Sequence, residues 1–197
     1  MSPSKYVYDF SEGNASMKPL LGGKGANLAE MTGLGIPVPP GFTVTTAACV
    51  YYSAHGEYPA GLKEEIEEHL HRLEKLTGKT LGDPKNPLLL SVRSGAVFSM
   101  PGMMDTVLNL GLNDDTVEGM VQATGNPRFV YDSYRRFISM FGDVVMGVDS
   151  QAFEDALTAK KAEVGAKLDT DLSAEDLRDL TARLKKILGE KAGEQFP

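Results

Sequence analysis

A lysine follows a pair of glycines near the start of the chain, in a segment whose chemistry suits an anion site. Gly22, Gly23 and Lys24 lead into a stretch with helical spacing. Backbone N–H groups are unpaired at a helix start and the helix dipole is positive there, so a phosphate could be held with help from the lysine. The segment is not a P-loop, because Lys18 stands where that motif needs its first glycine and Gly25 where it needs Ser or Thr. The alternative interpretation is a tight turn that caps a helix, with Lys24 in solvent.

A second segment with phosphate chemistry runs from Ser91 to Thr106 and has Arg93 at the end of an apolar strand. The rigid fork of an arginine fits phosphate oxygens, and the small residues of the following loop let backbone amides come close to a ligand. Alternatively, the methionines of the loop fill the core and Arg93 pairs with an acidic neighbour. Because a long loop without regular structure is uncommon in a compact domain unless it is functional, we favour a binding role.

The other reactive side chains are predicted to have structural roles. His69 and His71 lie two residues apart on a predicted helix and so face different directions, which disfavours a shared metal site. The four glutamates between residues 64 and 68 predict a solvated helix face. Cys49 has no base beside it in the sequence and is expected to be buried and unreactive. We expect no metal site in this chain.

Predicted strands and helices alternate along the chain, and they must position the segments around Lys24 and Arg93. Strands are predicted at residues 5–10, 41–45, 87–93 and 106–110. Helices are predicted at about residues 24–33, 45–55, 61–77, 113–124, 127–146, 150–166 and 173–192. Glycine and proline are concentrated before Gly111, so we place a domain boundary there. The predicted fold class is α+β, with a lobe of mixed strands and helices over residues 1–111 and a mainly helical subdomain over residues 112–197.

Composition narrows the possible partners and the compartment. The 197 residues carry 20 Lys and Arg against 27 Asp and Glu, a net charge of −7, which disfavours a nucleic-acid partner. No apolar run is long enough for a membrane span. A single cysteine and an N-terminus without signal-peptide character predict a cytoplasmic protein.

Three separated segments resemble, in the same order, the N-terminal region of the pyruvate, phosphate dikinases. They are Gly22-Gly-Lys-Gly-Ala-Asn-Leu-Ala-Glu-Met31, Gly35-Ile-Pro-Val-Pro-Pro-Gly-Phe42, and Ser91-Val-Arg-Ser-Gly-Ala96 with Ser99-Met-Pro-Gly-Met-Met-Asp-Thr106. The related phosphoenolpyruvate synthases share the Gly-Gly-Lys turn and the Val-Arg-Ser strand exit, but the Ser-Met-Pro-Gly-Met-Met-Asp-Thr loop is similar to the dikinases. The resemblance covers essentially the whole chain and is looser in the helical half.

The resemblance implies an ATP-grasp nucleotide-binding fold, in which ATP lies between two lobes. In such enzymes the two terminal phosphates of ATP pass as a unit to a histidine on a separate swivelling domain. One phosphoryl group then goes to inorganic phosphate and the other to pyruvate on a C-terminal barrel. The complete reaction converts ATP, pyruvate and phosphate into AMP, phosphoenolpyruvate and diphosphate.

The resemblance also implies which residues of this chain contact ATP. Lys24 and Arg93 match positions that bind its phosphates, where they would act in catalysis by positioning the phosphates and neutralising charge. The implied nucleotide-binding set is Gly22, Gly23, Lys24, Arg93, Ser94, Gly95, Pro101, Gly102, Met103, Asp105 and Thr106. The ligands of Mg²⁺ are expected on a part of the enzyme outside this chain.

We therefore expect an N-terminal fragment that is inactive alone. Its expected partners are the nucleotide and the remaining domains of the enzyme, namely the phosphohistidine domain and the pyruvate-binding barrel, with no nucleic acid and no membrane. The full enzyme is expected to be a homodimer. Two alternatives stay open: the ATP lobe of a related dikinase such as a phosphoenolpyruvate synthase, or a truncated, non-catalytic binding or interaction module.

Overall fold

The computed structural model describes residues 5–95 and 105–197. Four short strands and seven α-helices form within these residues, which confirms the predicted α+β class. The strands are β1 (Val7–Asp9), β2 (Phe42–Val44), β3 (Leu90–Arg93) and β4 (Thr106–Leu110). The helices are α1 (Lys18–Gly33), α2 (Thr46–His55), α3 (Leu62–Thr77), α4 (Asp114–Thr124), α5 (Pro127–Val144), α6 (Gln151–Val164) and α7 (Ala174–Ala192). The largest difference from prediction is the start of α1, which begins at Lys18 instead of residue 24.

The described residues divide into two compact units. The first unit contains residues 5–78 together with Ser94 and Gly95, and the second contains residues 79–93 and 105–197. In the first unit, β1 and β2 form an antiparallel pair in which Val7 lies opposite Val44. Helices α1, α2 and α3 belong to the same unit. Two small apolar clusters lie among these elements, one of Val7, Ala48 and Leu62 and one of Leu21, Ala26 and Ala29.

Polar side chains of α3 attach the first strand to the rest of the first unit. The Glu65 carboxylate accepts hydrogen bonds from the backbone N–H groups of Tyr6 and Val7, each at 2.8 Å. His69 is buried and its Nδ1 lies 2.6 Å from Oδ1 of Asp9. The prediction that all four glutamates of α3 face solvent is therefore wrong at Glu65.

Helix α2 shows that a second prediction, the burial of Cys49, is wrong. Ala48 is buried on this helix, whereas Cys49 is exposed. Successive helical residues point about 100° apart, because 3.6 residues complete one turn, so burying one of them turns the next away from the core. The expectation of a buried Cys49 was wrong because the apolar face of α2 is centred one residue earlier.

Strands β3 and β4 form the antiparallel pair of the second unit, and a bulge interrupts them. Leu90 lies opposite Leu110 and Val92 opposite Val107, so β4 has one more residue than β3 over this interval. Asn109 provides that residue with a φ of 61°, in the left-handed region that asparagine tolerates better than most side chains. As a result, Val107 and Leu110 both pack against the core of the unit.

One apolar core holds the second unit together. Its buried side chains come mainly from α5 and α7, at the three- and four-residue spacing of a helical stripe. They include Val130, Tyr134, Phe137 and Ile138 of α5, and Leu177, Leu180, Leu184 and Leu188 of α7. The predicted helix starts are confirmed as well: Asn126 accepts a hydrogen bond from the Phe129 N–H, and Ser173 and Asp176 form a capping box.

The compact units and the predicted domains divide the chain differently. Strands β3 and β4 precede Gly111, yet Val107 packs in the same core as the helices of the second unit. Compact units group residues by their contacts, whereas the predicted domains 1–111 and 112–197 describe lobes of a nucleotide-binding fold. The boundary near Gly111 therefore stays a prediction.

Candidate functional site

A break inside α1 places Lys24 near the start of a helical segment. Gly22 has a φ of 69° and a ψ of 172°, a conformation that residues with a Cβ avoid. The helix resumes directly after Gly22, so Gly23 and Lys24 lie in the first turn of the resumed segment. The glycine-rich turn predicted from the sequence is thus a single buried residue with helix on both sides.

Close packing fixes the position of this helical segment. A Cβ added at Gly25 would lie 2.8 Å from both Cγ2 and Oγ1 of Thr43 on β2. Real Cβ atoms do not approach other atoms this closely, so only glycine lets α1 rest on β2 at this distance. Because Gly25 is buried against β2, its neighbour Lys24 is directed outward, where it is exposed.

The Lys24 ammonium has a partner within the first unit. Its Nζ donates a hydrogen bond of 3.1 Å to the backbone oxygen of Ser94, the residue that follows β3. Lys24 is exposed, as the alternative interpretation expects, and it has this protein partner in addition. Gly95 follows Ser94, and a Cβ added there would meet no described atom within 4 Å.

Arg93 is the last residue of β3, in the second unit. It is exposed and lies opposite Thr106, the first residue of β4. Across residues 5–95 and 105–197, its guanidinium makes no hydrogen bond or ion pair. The alternative in which Arg93 pairs with an acidic neighbour therefore has no support within those ranges, and the guanidinium is available to an anionic ligand.

The structure distributes the predicted site residues over both units. Gly22, Gly23, Lys24, Ser94 and Gly95 belong to the first unit, while Arg93, Asp105 and Thr106 belong to the second. Contacts bring Lys24 to Ser94 in one unit and Arg93 to Thr106 in the other. Pro101, Gly102 and Met103 lie outside the described residues.

A cluster of His69, Asp9 and Glu12 in the first unit was not predicted from the sequence. Each residue has a possible metal-ligand atom, and these atoms lie within 4.8 Å of one another. However, Lys5 binds Glu12 and Arg72 binds Asp9, so the charges are already balanced by protein cations. Burial alone would raise the pKa of Glu12, but hydrogen bonds from Lys5 and the Asp9 backbone lower it below its usual value. We interpret the cluster as structural. Only the fold reveals it, because Asp9 and His69 are far apart in sequence.

A small cavity of about 180 Å³ lies among α4, α5 and α7 in the second unit. Lys185 is 2.6 Å from both carboxylate oxygens of Asp114, and the Tyr134 hydroxyl donates to the same carboxylate at 3.0 Å. Burial, with Asp114 nearby, raises the pKa of Tyr134 well above its ordinary value. Because these polar groups satisfy one another, we assign the cavity a structural role.

Comparison with known proteins identifies the family. Residues 18–75 match the family model described as "Pyruvate phosphate dikinase, AMP/ATP-binding domain". The pyruvate, phosphate dikinase of Clostridium symbiosum is 57% identical to this chain over 98% of its residues. The chain belongs to the pyruvate, phosphate dikinase family. Other members are the chloroplastic enzyme of Mesembryanthemum crystallinum, 58% identical over 98% of the chain, and the enzyme of Rhizobium meliloti, 54% identical over 98%.

The chain spans about a fifth of the length of these dikinases: 22% of the Clostridium and Rhizobium proteins and 21% of the Mesembryanthemum protein. The family match over residues 18–75 contains the broken helix α1 with Lys24 but not Arg93. Because these relatives are pyruvate, phosphate dikinases, the alternative of a phosphoenolpyruvate synthase is not favoured. None of the helices in the described ranges has the length and apolar character needed to cross a membrane.

Proposed function

We propose that this chain provides phosphate contacts for ATP in a pyruvate, phosphate dikinase. The observation that carries the proposal is the break at Gly22, which puts Lys24 in the first turn of a helical segment inside the region that matches an AMP/ATP-binding domain. A helix start offers N–H donors and a positive dipole to an anion, and the lysine adds a full charge. Loss of the Ser94 carbonyl as a partner costs Lys24 little, because a phosphate is the stronger acceptor.

Arg93 is the second proposed phosphate ligand. It ends β3 and its guanidinium has no protein partner within residues 5–95 and 105–197. Phosphoryl transfer requires mainly that charges be positioned and neutralised, which one lysine and one arginine can do without a nucleophile of their own. Gly22, Gly23, Ser94, Gly95, Asp105 and Thr106, together with Pro101, Gly102 and Met103, complete the proposed nucleotide-binding set.

Mg²⁺ fits poorly with the described part of this set. The ion prefers several oxygen ligands in octahedral geometry. Lys24 and Arg93 are cations, the glycines have no side-chain donor, and Asp105 is the one carboxylate among the proposed residues. We therefore place the Mg²⁺ ligands outside this chain.

We also propose that the remaining steps of the reaction take place on other parts of the protein. We infer an ATP-grasp arrangement in which the terminal phosphates of ATP pass to a histidine on another domain and then to phosphate and to pyruvate on a barrel domain. This chain alone is then inactive. A homodimeric enzyme and a cytoplasmic location are part of the same proposal, although the Mesembryanthemum relative is named as chloroplastic.

Titration of the full-length protein with a non-hydrolysable ATP analogue tests the proposed contacts. Lys24→Ala and Arg93→Ala should each weaken binding by about 1.5–3 kcal/mol, the range for a hydrogen bond to a charged group. Lys18→Ala is the matched control, since it removes the same charge from the exposed first residue of α1 and should leave binding unchanged. Unchanged binding in both test variants would contradict the proposal.

A further inference from the structure

The hydroxyl of Thr46 connects helix α2 to the first turn of α1. Its Oγ1 donates a hydrogen bond of 2.7 Å to the backbone oxygen of Pro19. Thr46 is the first residue of α2, and Pro19 is the second residue of α1, three positions before the break at Gly22. Thr46 and Pro19 both lie within residues 18–75, the region that matches an AMP/ATP-binding domain. The contact therefore holds the helical segment that comes directly before the proposed phosphate site.

In an uninterrupted helix the Pro19 oxygen would have a different donor. Each N–H then bonds to the oxygen four residues earlier, so the donor would be the Gly23 N–H. The ring of atoms that such a bond closes includes Gly22, whose φ of 69° and ψ of 172° lie far from the helical values of about −63° and −42°. The break therefore turns the Gly23 N–H away from the Pro19 oxygen. The Thr46 hydroxyl is the donor to this oxygen instead.

A continuous α1 is the conformation that competes with the broken one. Glycine populates both signs of φ, so Gly22 can also adopt helical dihedrals. In that conformation the Gly23 N–H would be used inside the helix and could not reach a ligand. The Thr46 hydrogen bond contributes most when the Pro19 oxygen has no other protein donor, which is the case in the broken form. Thr46 thus favours the form in which the Gly23 N–H is available.

A second contact from the same part of the chain holds α1 on the other side of the break. Thr43 packs so closely on Gly25 that a Cβ there would lie 2.8 Å from its Cγ2 and Oγ1. Thr43 and Thr46 are three residues apart, and they contact α1 after and before Gly22. The two segments of α1 are therefore fixed separately, and the break does not depend on Gly22 alone.

We propose that Thr46 is a positioning residue for the nucleotide phosphates. By donating to the Pro19 oxygen, it keeps α1 broken and leaves the Gly23 N–H for a phosphate oxygen beside the Lys24 ammonium. Thr46 acts through the backbone of α1 and does not itself touch the nucleotide. This inference rests on the proposed function, since it requires a phosphate at the start of the resumed helical segment.

Titration of full-length variants with a non-hydrolysable ATP analogue tests this role. Thr46→Val keeps the branched shape of the side chain but removes the hydroxyl, and it should weaken binding about five- to thirty-fold. Thr46→Ser keeps the hydroxyl and should bind almost as well as the wild type. Thr32→Val is the matched control, because the Thr32 hydroxyl also donates to a backbone oxygen of α1, that of Leu28 at 2.8 Å, and its loss should leave binding unchanged.

Crystal structures of the full-length wild type and Thr46→Val, both without nucleotide, show whether the hydroxyl acts through the helix. The wild type should keep Gly22 at a positive φ. The variant should have Gly22 in the helical conformation, with the Gly23 N–H bonded to the Pro19 oxygen. A variant that keeps the break would overturn the inference, whatever its affinity. Thr46→Ala also lacks the hydroxyl and carries the same expectation if the valine variant does not fold.

The inference and the proposed function fail in different ways. Normal binding by Thr46→Val together with weak binding by Lys24→Ala would overturn the role of Thr46 and leave the proposed function standing. Equal losses in Thr46→Val and Thr46→Ser would also overturn that role, because the hydroxyl would then not be the group that acts. Normal binding by both Lys24→Ala and Arg93→Ala would overturn the proposed function and the inference with it.

Discussion

Fifteen side chains of the second unit are buried in one apolar cluster, whereas six of the seven buried apolar residues described in the first unit form two clusters of three. The larger cluster joins two long helices, α5 and α7, along their apolar stripes. In the first unit, a larger share of the stabilisation must come from elsewhere, because burial of so few and such small side chains contributes little.

In the first unit, directed polar contacts and close backbone packing provide the stabilisation that apolar burial does not. Glu65 accepts hydrogen bonds from the N–H groups of Tyr6 and Val7 at the start of β1, and the Thr46 hydroxyl donates to the Pro19 oxygen at 2.7 Å. Gly25 packs directly on Thr43. The same packing fixes α1 and hence Lys24. The comparison indicates that the first unit, which contains Lys24, is stabilised mainly by specific contacts between individual atoms. The second unit is stabilised mainly by buried apolar area.

The largest expected effect tests the apolar core of the second unit. Leu180 is fully buried on α7, so Leu180→Ala should lower the free energy of unfolding by about 2–5 kcal/mol, through lost burial and a new cavity. Chemical denaturation followed by circular dichroism measures the change. Leu76→Ala is the control, because Leu76 is 75% exposed and its truncation should have little effect. Equal effects of the two substitutions would refute the role assigned to the core.

An intermediate effect tests the polar attachment of the first strand. Glu65→Ala should destabilise the first unit by about 1.5–3 kcal/mol, because the N–H groups of Tyr6 and Val7 lose a charged acceptor. Glu64→Ala removes the same charge from an exposed neighbour and should change stability much less. Denaturation monitored by hydrogen exchange in β1 distinguishes the two variants. Similar behaviour of both would show that the first unit does not depend on this contact.

The smallest effect concerns the ion pairs of Asp169 in the second unit, as a function of pH. A hydrogen bond from Lys161 and the charge of Arg135 lower the pKa of Asp169. A carboxylate with a lowered folded-state pKa stabilises the protein above its ordinary pKa of about 3.9, and this contribution is lost as pH falls through the lower value. Asp169→Asn should therefore cost about 0.2–1 kcal/mol at pH 7 and less at pH 3.

Free energies of unfolding of wild type and Asp169→Asn at the two pH values provide the measurement. A difference that is constant between pH 7 and pH 3 would contradict the assigned ion pairs. If Asp169→Asn lowered the free energy of unfolding as much as Leu180→Ala, the contrast between the two units would be wrong. Charges rather than buried area would then dominate the stability of the second unit.

Local signals were sufficient to predict most elements of the fold. Apolar spacing predicted α5 and α7, and the capping residues Asn126 and Ser173 marked where they begin, because periodicity and caps act within a few residues of each other. The segments around Lys24 and Arg93 were recognised by residue type and resemblance. The structure adds that Lys24 contacts Ser94 and that Arg93 has no partner in the described ranges, but their contact with ATP stays a prediction.

The sequence by itself determined the α+β class, the positions of the helices and the family, because each depends on residue order and local spacing. Only the tertiary structure decided that Glu65 binds the first strand, that His69 pairs with Asp9 and that Cys49 is exposed. It also decided that Gly22 breaks α1 and that Lys24 reaches Ser94. These features depend on which distant segments meet in space, and a hydrogen bond across some 60 or 70 residues leaves no periodic signal in the chain.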